Sequence, residues 1–164
     1  MTIIRIYERI DKKVCEKVMP ILDKVAPESE VKFILNWTGG VHNYHKPILN
    51  KVKELRYQMN CHLIAEGARF YSAAFELFIM CNERIIVPEF TIMIHLPEYS
   101  NRDLIKDHEM AQKLYKMKEE SAEFVTQFTA FTKDQVYLYN CSALTARQLF
   151  KFKVAEKIVS IFNY

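Results

Sequence analysis

The chain has 164 residues, of which 50% are hydrophobic and 13% aromatic, and its formal net charge is +3. This length suits one domain with a substantial core, and the small, dispersed charge argues against a nucleic-acid surface. No apolar stretch reaches the roughly 20 residues of a membrane span, and the four cysteines form no C-x-x-C pair. We therefore expect a cytoplasmic protein with no nucleic-acid or membrane partner, no metal ion and no cofactor.

Strand and helix patterns alternate through the first 95 residues. The helical pattern that begins at Asp11 places its apolar residues on one face: Val14, Val18, Ile21, Leu22 and Val25. The predicted elements are a strand at 2–7, a helix from Asp11, a strand at 31–35, a helix at 43–59, a strand at 61–65, a turn at Gly67, a helix at 72–81, and strands at 84–87 and 91–95 on either side of Pro88. This alternation is typical of right-handed βαβ units on a mostly parallel sheet.

After Pro97 the character of the sequence changes. Residues 103–128 have the pattern of a long, charge-laced helix with almost no β-branched residues before Val125. A final helix at about 144–152 then leads to an apolar strand at 158–162. No linker or repeat indicates a second domain.

Two short segments carry possible chemistry at the ends of predicted strands. Gly39 and Gly40, two of only three glycines, directly follow a strand, at the edge where ligands bind in open α/β folds. Ser72 begins the third helix, either as a simple N-cap or as a nucleophile beside helix-terminal amides. His95 closes the strand after that helix. A serine and a histidine on neighbouring strand ends are what nucleophilic acyl transfer requires, although each is more commonly structural.

Taken in order, these segments resemble the Clp protease proteolytic subunit, a serine peptidase of the crotonase-like superfamily. Residues 33–40 (F-I-L-N-W-T-G-G) resemble the family's strand ending in N-S-P-G-G, and residues 72–75 (S-A-A-F) are similar to its S-M-G-A-F. Residues 92–97 (I-M-I-H-L-P) are similar to its I-M-I-H-Q-P. Residues 111–125 resemble its handle helix, and residues 144–148 resemble its L-S-A motif.

This resemblance implies an α/β fold of repeated βαβ units with a protruding handle helix. It implies one domain over residues 1–164, with a head at about 1–97 and 140–164 and a handle at about 98–135. Members of the family form homo-oligomers of stacked heptameric rings around a chamber, in which peptides or unfolded proteins are hydrolysed. The family's axial loop, which engages an AAA+ unfoldase, precedes the first strand. Because residues 2–7 are already strand-like here, we expect part of the family's usual contact with an unfoldase to be missing.

The resemblance also implies the roles of individual residues. Ser72 would attack the peptide carbonyl and His95 would take its proton. The backbone amides of Gly40 and Ala73 would form the oxyanion hole, and Gly39 with Gly40 would lie against the substrate.

The family's third triad residue is an aspartate three residues before the L-S-A motif, and that position holds Cys141. Asn140, next to it, is the candidate for orienting the imidazole, although an amide stabilises imidazolium less than a carboxylate does. Three interpretations stay open. The first is an active serine endopeptidase, and the second is a catalytically impaired pseudoprotease that serves as an assembly or regulatory subunit. The third is a crotonase-type acyl-CoA enzyme, which leaves the serine and histidine unexplained.

Overall fold

The computed structural model describes residues 1–37, 39–98 and 108–159. Its elements, in chain order, are β1 Thr2–Ile6, α1 Lys12–Leu22, β2 Glu30–Trp37, α2 His42–Tyr57, β3 His62–Tyr71, α3 Ala73–Met80, β4 Glu83–Met93, α4 His108–Phe128, α5 Lys133–Leu138, α6 Ala146–Lys151 and β5 Lys157–Ile158. The strands form one sheet in the order β1-β2-β3-β4-β5, and every neighbouring pair is parallel. The α/β fold predicted from the alternating pattern is confirmed.

The first helix shows how local sequence sets an element. The carboxylate of Asp11 accepts a hydrogen bond of 2.9 Å from the backbone N–H of Val14, so it satisfies one of the orphan amides at the helix start. Val14, Val18 and Leu22 are buried as predicted. Ile21 is 38% exposed, so its predicted place on the buried face is wrong.

The parallel sheet has a fully buried face and a half-open face. In β2, Val31, Phe33 and Leu35 are completely buried, since alternate side chains of a strand point to one side. The residues between them belong to the half-open face, where Lys32 forms an ion pair of 2.7 Å with Glu66. Both faces of a parallel sheet are normally covered.

Two predicted boundaries in the middle of the chain are wrong. Gly67 is not a turn but lies inside β3, which continues to Tyr71 and runs directly into α3. The two strands predicted around Pro88 form one strand, β4, although the residues from 87 to 90 have no partner in β3. Glu89 lies there with a φ of 62°, which marks a local bulge in β4.

The last third of the chain is more helical than predicted. The short helix α5 lies in a segment for which no helix was predicted, and Thr132 caps it through its side chain. The start of the long helix predicted at 103 and the end of the strand predicted at 158–162 fall outside the described residues. Within the described ranges, no helix combines the length and the apolar character needed to cross a bilayer.

Candidate active site

Ser72 occupies a strained turn between β3 and α3. Its φ of 51° and ψ of −123° are unusual for a residue with a side chain, and its hydroxyl makes no capping hydrogen bond to the helix. A plain N-cap serine would bond to an orphan amide of the first turn. Ser72 therefore leaves its hydroxyl available at the N-terminus of α3, beside the unpaired amides of that turn.

The glycine turn after β2 lies directly against Ser72. A Cβ atom added to Gly39 would stand 3.2 Å from the Cβ and 3.7 Å from the Oγ of Ser72, and Gly39 has a φ of 108° that disfavours any side chain. The carbonyl of Gly39 accepts a hydrogen bond from the N–H of Ile10, and the N–H of Val41 donates to the Ile10 carbonyl. Because amide directions alternate along extended chain, the Gly40 amide points away from Ile10, towards the side where β3 and Ser72 lie.

His95 reaches the same edge from the neighbouring strand. Tyr71 of β3 pairs with Met93 of β4. Ser72 is the residue after Tyr71, and His95 comes two residues after Met93, so both follow the same end of the sheet. His95 is half-buried between two buried residues, Ile94 and Leu96. The fold thus brings to one edge the serine, the histidine and the glycine pair that the sequence suggested.

The segment at 140–143 packs alongside the strand end that carries His95. The N–H of Cys141 donates to the carbonyl of Ile94 at 2.8 Å, and the N–H of Leu96 donates to the Oδ1 of Asn140 at 2.9 Å. The side-chain oxygen of Asn140 therefore accepts a backbone hydrogen bond, and this bond links the segment at 140–143 to the end of β4. Its role in orienting the imidazole stays a prediction.

Cys141 and Glu98 both lie beside the imidazole. Their ligand atoms and a ring nitrogen of His95 are all within 4.8 Å of one another. Partial burial and the carboxylate of Glu98 raise the pKa of the Cys141 thiol, against the opposing charge of Lys118. The thiol is therefore neutral near pH 7, so the residue that the resemblance assigns to the third triad position carries no charge.

A cleft of about 200 Å³ opens beside the serine. Its lining includes Gly40, Ser72 and Pro97 on the side of the strand ends, and Leu49 and Phe124 as apolar walls. A side chain of moderate size fits such a space, since ligand sites are concave, mostly apolar and completed by a few polar groups.

A polar network that the sequence did not reveal forms part of this cleft. Glu76, one helical turn after Ser72, accepts a hydrogen bond of 2.5 Å from the hydroxyl of Ser121. Its other carboxylate oxygen lies 3.0 Å from the Nε2 of His45, whose side chain is buried. These contacts join α2, α3 and α4 next to the candidate nucleophile.

We expect Glu76→Ala to lower the free energy of unfolding by about 1–3 kcal/mol, because it removes the acceptor from two partly buried donors. Glu76→Gln should cost less, since an amide can still bond to both neighbours. Urea unfolding at fixed protein concentration measures the change. Glu120→Ala is the matched control, because Glu120 lines the same cleft but is exposed. Equal losses for Glu76→Ala and Glu120→Ala would contradict the network.

Comparison with known proteins agrees with this geometry. The sequence model of the family described as "Clp protease" matches residues 1–155. The chain belongs to the Clp protease family. Membership of this family supports a ClpP-like peptidase, and the resemblance inferred from the glycine, serine and histidine segments is confirmed.

Solved ClpP structures share the fold. A mutant of ClpP1 from Listeria monocytogenes superposes with a TM-score of 0.79 and 16% identity, over 98% of this chain and 92% of that chain. The ClpP protease catalytic domain from Plasmodium falciparum gives a TM-score of 0.78 and 16% identity, over 99% of this chain and 86% of that one. The ClpP/crotonase-like fold is thereby confirmed.

Proposed function

We propose that this Clp protease family member is a serine endopeptidase in which Ser72 is the nucleophile and His95 the general base. The observation that carries the proposal is the strained backbone of Ser72. This residue lies against Gly39 at the start of α3, and its hydroxyl makes no capping hydrogen bond to the helix. Strain at a residue without a structural need for it is typical of functional sites. The substrates we propose are peptides and unfolded protein chains.

The chemistry follows acyl transfer. The Oγ of Ser72 forms a bond to the peptide carbonyl carbon while its proton passes to the imidazole of His95. The amides of Gly40 and Ala73 stabilise the oxyanion, because each is fixed in advance where negative charge develops. The imidazolium then protonates the leaving amine as the C–N bond breaks. Water, deprotonated by the same imidazole, releases the acid product and restores the serine.

The cleft beside Ser72 is proposed to hold the side chain next to the scissile bond. Its apolar walls, Leu49 and Phe124, favour an aliphatic or aromatic group. Gly39 and Gly40 present backbone on the opposite side, so a substrate can approach closely.

Ring assembly is supported by the half-open sheet face. Ile3 is 38% exposed there, and Ile34 and Ile64 are only partly covered. Parallel sheets bury both faces, and proteins of this family typically assemble as rings. We propose that neighbouring subunits cover this face in a homo-oligomer of stacked heptameric rings, with α4 in the handle at about 98–135. We name an AAA+ unfoldase as a further partner to be tested, and we propose the cytoplasm as the location.

A second candidate function is that of an impaired, ClpP-like assembly or regulatory subunit. It is favoured by Cys141, whose neutral thiol replaces a carboxylate beside His95. Such a subunit would keep the fold and the rings but turn over peptides very slowly.

A fluorophosphonate probe separates the two candidates. At pH 7–9, where an unperturbed histidine is mostly neutral, we expect the folded chain to be phosphonylated at Ser72 with release of fluoride. Ser72→Ala should abolish the label, whereas Ser121→Ala, which removes a second serine from the same cleft, should retain it. Mass spectrometry of the labelled peptide identifies the site. A folded, assembled sample without label, or a label that persists in Ser72→Ala, would refute the peptidase.

A further inference from the structure

Three side chains of different chemistry converge at the end of β4. The imidazole of His95, the carboxylate of Glu98 and the thiol of Cys141 have ligand atoms within 4.8 Å of one another. His95 and Glu98 belong to one short segment, and Cys141 comes from the segment that precedes α6. Glu98 and Cys141 are exposed, and His95 is half-buried.

Backbone contacts hold the two segments in place. The N–H of Cys141 donates to the Ile94 carbonyl, the N–H of Leu96 donates to the side chain of Asn140, and Met93 forms an antiparallel bridge with Ala143. These contacts fix the backbone segments that carry His95 and Cys141 relative to one another.

We propose that His95, Glu98 and Cys141 bind a zinc ion. Imidazole nitrogen, thiolate sulfur and carboxylate oxygen are the ligands that zinc takes in proteins, and three protein ligands leave a fourth position open. The thiolate disfavours magnesium and calcium, which prefer oxygen ligands throughout. Zinc binding displaces the proton of the Cys141 thiol to solvent, so charge and protons balance.

The distances suit zinc after small side-chain rotations. Bonds of about 2.0–2.3 Å in a tetrahedral site place ligand atoms roughly 3.3–3.7 Å apart. The three ligand atoms lie within 4.8 Å of one another, which is about one ångström more than the spacing in a tetrahedral site. Inward rotation of the exposed side chains of Glu98 and Cys141 would close this difference. No metal site was expected from the sequence, because the cysteines form no C-x-x-C pair. Cys141 is distant in the chain from His95 and Glu98, and only folding brings it to them.

The other cysteines do not offer an equivalent site. Cys61 and Cys81 are buried, and burial raises the pKa of the Cys81 thiol to about 12. Cys15 lies on α1, is partly buried, and does not belong to this cluster. Among the described residues, the cluster at His95 is the place where three potential ligands of these types meet this closely.

A neutral imidazole has one ring nitrogen that can accept and one that carries a proton. If zinc takes the accepting nitrogen, the other nitrogen stays protonated and cannot act as the base of the proposed peptidase. Zinc and acylation of Ser72 are therefore expected to exclude each other. This consequence rests on the proposed function, whereas zinc binding itself does not. Zinc would act as a reversible inhibitor that a chelator removes.

Binding is measured on the full-length chain after chelator treatment. We expect one zinc ion per chain in competition with a chromophoric chelator, and a thiolate-to-cobalt charge-transfer band when Co²⁺ is used instead. Cys141→Ser should abolish the band and weaken zinc binding by more than about 100-fold, because even the loss of an outer-shell partner costs about 10–100-fold. Glu98→Gln should weaken binding at least about tenfold and keep the band. Cys15→Ser is the matched control and should change neither quantity.

The outcomes distinguish the zinc site from the peptidase. A missing cobalt band, or one that survives Cys141→Ser, would overturn the site. Zinc binding that is unchanged in Ser72→Ala supports it independently of catalysis. Fluorophosphonate labelling that persists at saturating zinc would overturn the competition, and the absence of labelling from metal-free protein would refute only the proposed peptidase.

Discussion

Replacing Cys141 by aspartate is expected to raise kcat/KM for an unstructured peptide substrate by about 10²–10⁴-fold. Cys141 lies beside His95, at the position that the resemblance assigns to the family's third triad residue, and its raised pKa keeps the thiol neutral at pH 7. In a serine protease triad, loss of the charged carboxylate costs about 10⁴ in rate, because the imidazolium formed during acylation is no longer stabilised. Restoring the carboxylate should recover a large part of that factor.

Two control variants isolate the charge. Cys141→Asn has nearly the same shape as the aspartate variant but no charge, so it should gain little. Asn140→Asp places a carboxylate one residue away, where the Asn140 side chain already accepts the Leu96 N–H. Initial rates should be measured after chelator treatment, because aspartate is also a zinc ligand. A Cys141→Asp variant no faster than the natural chain would show that another group, with Glu98 within reach, already supplies the charge.

The parts of the fold that the sequence predicted are those with a local signal. The buried alternation in β2 and the period of α1 both arise from burial on one face, and that pattern is written in neighbouring residues. Asp11 indicated the start of α1, because an N-cap hydrogen bond joins residues that are close in sequence. The order of the elements through α4 followed from these signals, except that β4 was predicted as two strands.

The candidate site was predicted by resemblance rather than by local physics. Ser72, His95 and Gly39 each had a structural and a functional interpretation when taken singly. The order of their segments is what indicated the family and, through it, a functional role. The structure adds what no local pattern carries, namely the positive φ of Ser72 and its contact with Gly39. These depend on how three strand ends meet, which is a tertiary property.

The contacts of Glu98 and Glu76 were missed for the same reason. An H-x-x-E spacing joins His95 to Glu98, but that spacing is common and becomes informative only when Cys141 packs beside it. The sequence around Glu76 does not indicate that its carboxylate contacts both His45 and Ser121. Long-range partners of this kind cannot be read from periodicity.

Gly67 shows that the same local signal can arise from two different structures, and we expect its replacement by alanine to have a large effect. A glycine after a short apolar run is typical of a turn. Here it lies inside β3 opposite Leu35 of β2, where the register between the two strands shifts. A Cβ atom at this position would stand 1.8 Å from the carbonyl oxygen of Leu35 and 3.0 Å from the ring of Phe70. The glycine is required by close approach of backbone rather than by a turn.

We therefore expect Gly67→Ala to lower the free energy of unfolding by at least about 3 kcal/mol, at the upper end of the overpacking range, because the obstacle is backbone and cannot rotate away. This loss is a large share of the total stability of a domain, which is about 5–15 kcal/mol. Ala68→Gly is the matched control: it removes a side chain at the next residue and should cost about 1 kcal/mol or less. Urea unfolding at one fixed protein concentration measures both, since assembly makes apparent stability concentration-dependent.

The same substitution links the central strands to the active site. Separation of β2 from β3 at Gly67 would shift the two strand ends that carry Gly39 and Ser72, so the folded fraction of Gly67→Ala should also label more slowly with the fluorophosphonate. Ala68→Gly should label at nearly the natural rate. A Gly67→Ala variant that unfolds at the natural urea midpoint would contradict the close approach of β2 and β3. One that is destabilised yet labels normally would show that the geometry around Ser72 is set by α3 and the glycine turn alone.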